Sequence, residues 1–156
     1  MNTKSKNLLS SFYQTWKAED RELEAGIDEI RDWMQEVTQL GIPHFGETAT
    51  RLNPLRQQLV THFQREDQMI GQLAGLYSTS SPEVEAVSRQ STRDHDQLLA
   101  RLDDLIQRLS ETDPPFASWQ AAIAEVEMFV DVLEQHEEQE ADSIETLMPA
   151  RPQDNE

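Results

Sequence analysis

Apolar residues recur along most of this chain at steps of three and four, the period of a helix with one buried face. The first such run extends from Leu8 to Leu40 and carries Phe12, Trp16, Leu23, Ile27, Ile30, Met34 and Val37. A second starts near Asn53-Pro54, where an asparagine followed by proline suits a cap and first turn. It continues through Leu55, Leu59, Met69 and Leu73. A third follows Ser81-Pro82-Glu83, again a cap, a proline and an early acid, and presents Val84, Val87, Leu98, Leu102, Leu105 and Leu109. A fourth begins near Ser118 and carries Ile123, Val126, Phe129, Val130, Leu133, Ile144 and Leu147 before Met148-Pro149 ends it. Gly41-Ile42-Pro43, Ser78 to Pro82 and Asp113-Pro114-Pro115 break the periodicity between runs. No alternating pattern competes. The expectation is an all-α, up-down-up-down antiparallel four-helix bundle over residues 1–150, followed by a flexible tail, 151–156.

The same register exposes residues that do not belong on an apolar seam. The second seam steps Leu55, Leu59, His62, Glu66, Met69 and Leu73. The third steps Val84, Ser88, Ser91, His95, Leu98 and Leu102, and the fourth Val126, Phe129, Leu133, His136, Glu140, Ile144 and Leu147. His62 with Glu66, and His136 with Glu140, are four apart, so each pair lies on one helical face. A buried unpaired carboxylate costs several kcal/mol and needs a strong partner. The levels agree as well. His95 lies 13 residues after Pro82 and His136 13 residues before Pro149. At a rise of ~1.5 Å per residue both fall roughly 20 Å from the same end of an antiparallel bundle. Imidazole plus carboxylate suits iron, manganese or zinc better than magnesium or calcium. Two glutamates from two helices can bridge two metals, which points to a dinuclear centre inside the bundle. The acidic run Glu137, Glu138, Asp142 and Glu145 reads as a solvated face.

Composition narrows the field. The chain has 156 residues, 30 acidic against 13 basic, and a net charge of −17. Such a surface repels nucleic acid and anionic membranes. With no cysteine, disulfides, thiolate metal sites and a cysteine nucleophile are excluded. No signal-like or membrane-spanning stretch is present in the sequence, so the expected setting is the cytoplasm.

The segments THFQRED, RDHDQLL and QHEEQEADSIETLMP resemble the second, third and fourth helices of hemerythrin-like (HHE cation-binding) domains, which are four-helix bundles with a non-haem di-iron centre. The likeness runs from about Leu55 to Pro149. It implies that His62, His95 and His136 are terminal ligands and that Glu66 and Glu140 bridge. Two departures stand out. The family's first-helix histidine is missing, with Leu23, Gly26 and Ile27 near its expected place; Gly26 would leave room for an exogenous ligand, and Glu24 is a substitute ligand to consider. Ser91 stands one turn before His95, where the oxygen carriers have a second histidine. In the iron-centre repair proteins of this superfamily, a histidine in the connection between the first two helices resembles an extra ligand, and His44 occupies that connection here.

The functional expectation is therefore a hemerythrin-like di-iron protein, with manganese or zinc as other occupants, meeting dioxygen, nitric oxide or peroxide. Sensing, scavenging and iron handling all fit, and an enzymatic role stays open. The competing expectation is a metal-free helical interaction module that has lost part of the site.

Overall fold

A computed structural model describes residues 3–76 and 82–147. Four helices account for nearly all of them: α1 (Thr3–Leu40), α2 (Phe45–Leu76), α3 (Pro82–Ser110) and α4 (Trp119–Leu147). Helices adjacent in sequence pack together and α4 closes against α1, the arrangement of an up-down-up-down bundle. The expected ends at Met148-Pro149 and Ser78–Ser81, and the tail 151–156, lie outside the described residues.

The turns are built as their residues dictate. Gly41 ends α1 with φ 70 and returns its N–H to the Thr38 carbonyl at 3.3 Å, the left-handed closure that glycine permits cheaply. At the start of α4 the Ser118 hydroxyl accepts from the Ala121 N–H at 3.0 Å, an N-cap. The second helix corrects the reading of Asn53-Pro54 as its beginning. It starts eight residues earlier, at Phe45, and Pro54 lies inside it. Pro54 lacks the N–H that would bond the Thr50 carbonyl, but it is on the solvent side, where water can serve that carbonyl.

The core falls into two parts. The larger one includes Leu23, Ile27, Leu55, Leu59, Leu98, Leu102, Val126, Phe129 and Leu133. The smaller one contains Tyr13, Trp16, Met69, Val84 and Ile144. Along α2 the larger cluster ends at Phe63 and the smaller begins at Met69. Between them is a buried polar layer.

Candidate metal centre

That layer is made of His62, Glu66, Ser91, His95, His136, Glu137 and Glu140, all buried, with Asp20 half-buried beside them. Each helix contributes because the polar residues fall in step with the apolar seams above and below. Two sets of donor atoms converge. Glu66, His95, His136 and Glu140 bring one atom each to within 4.8 Å of one another, and so do Asp20, His62 and Glu137.

Glu66 joins the sets. Its Oε1 is 3.3 Å from His62 Nε2 and 3.6 Å from His95 Nε2. Glu140 spans two histidines, with Oε1 3.5 Å from His95 Nε2 and Oε2 3.5 Å from His136 Nε2. Glu137 Oε2 is 2.8 Å from His62 Nε2, and Asp20 Oδ1 is 3.8 Å from that nitrogen. All three histidines thus turn Nε2 inward. On the outer side, Asp67 is 3.3 Å from His95 Nδ1 and Asp94 is 3.3 Å from His136 Nδ1. A carboxylate on the far nitrogen fixes the ring orientation and raises the basicity of the inner nitrogen.

Protein partners alone leave this layer short of hydrogen bonds. Both Glu66 oxygens, Asp20 Oδ1, Glu137 Oε1 and His136 Nε2 are buried without one. The electrostatics follow. Burial first, then the neighbouring Glu137 and Glu140 carboxylates, push the Glu66 carboxyl well above its ordinary range. Burial and Glu137 push Asp20 up to about 6, against the attraction of His62. Burial works to lower His95, but its pairing with Asp67 and Glu140 prevails and raises it to about 9. Glu140 goes the other way: burial works to raise it, and His95, Ser91 and the charge of His136 hold it below the usual value. Packed carboxyls that must hold protons or repel one another, beside imidazoles aimed at the same point, form a donor set that a divalent cation would complete.

A family model of the hemerythrin HHE cation-binding domain matches residues 11–147. The chain belongs to that family. No curated protein and no solved structure matches it. The hemerythrin assignment carries cation binding with it, and the two donor groups are where this hemerythrin domain could bind.

The layer brings together His62, Glu66, His95, His136 and Glu140, the five positions singled out on the seams. It does not bring His44 to them. That ring lies edge-on to Trp33, with centroids 6.2 Å apart, near Trp119 and 3.5 Å from Glu47, in neither donor group. Two readings need correction. Glu137, expected on a solvated face, is only 7 % exposed, because α4 meets both α1 and α3 and its inward arc is wide enough for His136, Glu137 and Glu140. The first helix meets the centre through Asp20, not near Gly26. His62 is 17 residues beyond the start of α2, and the same count back from Leu40 reaches Leu23; the level of Glu66 reaches Glu19. A helix beginning at Asn53 would have moved that level to about Ile27. Gly26 faces Gln58, whose Oε1 would lie 3.0 Å from an added Cβ. Glu24 is exposed and stands with Asp20 in a cleft between α1 and α4. Asp20 had a visible signal: Trp16, Asp20, Leu23 and Ile27 step by four, three and four. Ser91 is buried and donates to Glu140 Oε1 at 2.7 Å, so it steadies a carboxylate from the place of the second third-helix histidine.

Proposed function

We propose that this hemerythrin domain holds a dinuclear non-haem iron centre that meets a small ligand such as dioxygen, nitric oxide or peroxide. The observation that carries this reading is the position of Glu66. One fully buried carboxylate approaches the inward nitrogens of two histidines belonging to different donor groups, the geometry needed of a shared ligand. Glu66 would be shared, His95 and His136 with Glu140 between them would serve one cation, and His62 with Asp20 and Glu137 the other. Bound iron would supply redox chemistry and a coordination position open to a small molecule. The protein groups orient and insulate it. Asp67 and Asp94 set the rings of His95 and His136, Ser91 positions Glu140, and Phe63 stacks on His95 with ring centroids 3.9 Å apart. A cleft of about 120 Å³ opens onto Asp20 and Glu137, a volume that admits a small ligand. A metal-free interaction module has no use for a buried layer of unpaired carboxyls, and the layer weighs against that alternative.

Anaerobic reconstitution with ferrous iron should give about two metals per chain, as bundle-core carboxylate centres do, and azide or nitric oxide should change the spectrum. A chain that retains no transition metal after reconstitution refutes the reading; one that prefers manganese or zinc refutes iron alone.

A further inference from the structure

The two halves of the layer differ in ways that bear on how each would hold a cation. The half with His95 and His136 has two imidazoles, each braced on Nδ1 by an aspartate at 3.3 Å, and its wall is the Phe63 ring. The other half has one imidazole and two carboxylates, from Asp20, His62 and Glu137. On His62 the carboxylate beside Nδ1, Glu19, is farther off, at 4.0 Å, and is itself held by Arg65 at 3.2 Å. Clefts reach both halves: one between α3 and α4 is lined by Asp94, His136 and the cationic Arg101, and one between α1 and α4 by Asp20 and Glu137 with no basic residue in its lining. The α1–α4 cleft is rimmed by Glu24, Glu134 and Glu138; Glu134 is paired with Arg31, so Glu24 and Glu138 make its mouth acidic and attractive to cations.

We propose that the Asp20–His62–Glu137 half is an exchangeable subsite for an oxygen-preferring divalent cation, filled through the α1–α4 cleft, while the His95–His136 half retains its metal. The proposal rests on the dinuclear reading above. Hardness supports it: carboxylate-rich sets suit manganese(II), and imidazole-rich sets suit iron. Bracing supports it too, since loss of a partner behind a ligating histidine lowers metal affinity about 10–100-fold. His62 has no such partner at hydrogen-bonding distance.

The test begins with the full chain loaded anaerobically with ferrous iron and challenged with excess chelator. Iron should leave in two phases of similar amplitude, with rates differing by about 10-fold or more. Manganese(II) supplied after the first phase should give a product with one iron and one manganese per chain, reported by elemental analysis and by a spin-coupled resonance signal. The double variant Asp20→Asn/Glu137→Gln should hold one iron and show only the slow phase. Glu24→Lys with Glu138→Lys, both at exposed positions, should slow uptake of the second metal several-fold at low ionic strength. Release in a single phase, a double variant that still holds two metals, or uptake indifferent to the rim charges overturns the proposal. The wild-type release and exchange decide the matter even if the double variant does not fold. A wild type that takes up fewer than two metals overturns the dinuclear reading itself, a separate outcome.

Discussion

Replacing Glu66 by leucine should stabilise the metal-free protein and destabilise the metal-loaded one. Glu66 has no exposed surface, and neither of its oxygens has a hydrogen-bond partner. An unsatisfied buried polar group costs about 1–3 kcal/mol, and exchanging buried charge for apolar side chains of similar volume often gains about 1–4 kcal/mol. A gain of about 2 kcal/mol in chelator is expected, which for a domain of this size raises the midpoint by about 4–8 °C. The gain should depend on pH with a fixed sign. The Glu66 carboxyl titrates well above its ordinary value, so between that value and the raised one the fold binds more protons than the unfolded chain. Wild-type stability therefore falls as pH climbs through this window, and the advantage of Glu66→Leu grows with it. With metal the order reverses. A ligand at 1,000 times its dissociation constant adds about 4 kcal/mol per site, and the variant forfeits the carboxylate both donor groups share. Thermal melts of the two proteins, with chelator and with ferrous iron, give four midpoints whose order must cross. A Glu66→Leu protein that melts below wild type in chelator would show that Glu66 is not a strained metal-free residue, and the argument would fail. Glu140 is the poorer choice for this test, because its removal strands the Ser91 hydroxyl and two histidines.

Asp67→Asn and Asp94→Asn should each weaken metal binding about 10–100-fold with little change in fold, since each meets the centre only through the far nitrogen of a histidine, the second Asp94 oxygen accepting from Gln90 on the same helix; competition against a chromophoric chelator reads this directly. Gly26→His should leave an azide-induced spectrum intact, because residue 26 faces Gln58, whereas Asp20→His should alter it. Metal uptake should release protons, counted in weakly buffered solution, because His95 holds one up to about pH 9 and a cation must displace it; uptake with no proton release at pH 7 would contradict the His95 assignment. Arg108→Met should cost less than about 1 kcal/mol in chemical denaturation, since its pairing with Glu125 is at the surface.

The helices and five of the donors were legible because both follow from one period. A polar residue in an apolar seam is visible only if the seam is traced without gaps. On the first helix the apolar seam has a gap between Trp16 and Leu23, and Asp20 occupies it. Glu137 was obscured by a different cause. One residue past His136, it is turned about 100° around the helix axis, off the narrow seam that sequence spacing defines. Only the packing of α4 against two neighbours turns that second stripe inward. Sequence spacing sets the start of the second helix too late because Asn53-Pro54, inside it, resembles a cap and first turn when the solvent side of the proline is unknown.

The position of the layer explains how the chain can carry it. Apolar clusters on both sides, one anchored by Leu59, Leu102 and Phe129 and the other by Trp16, Met69 and Ile144, can hold the four helices in register whether or not a cation is bound. Burial of the larger cluster then maintains a geometry that the carboxyls would not choose for themselves. Because the fold supplies this constraint, the repulsion among Glu66, Glu137 and Glu140 becomes affinity for a cation instead of local unfolding. A weaker core would let the acid-rich layer spread when empty, and each metal would have to reorganise it on binding. The two flanking cores are therefore as much a part of the candidate site as its ligands. Cavities cut into them, Leu59→Ala on one side or Ile144→Ala on the other, should weaken metal binding without touching a donor atom.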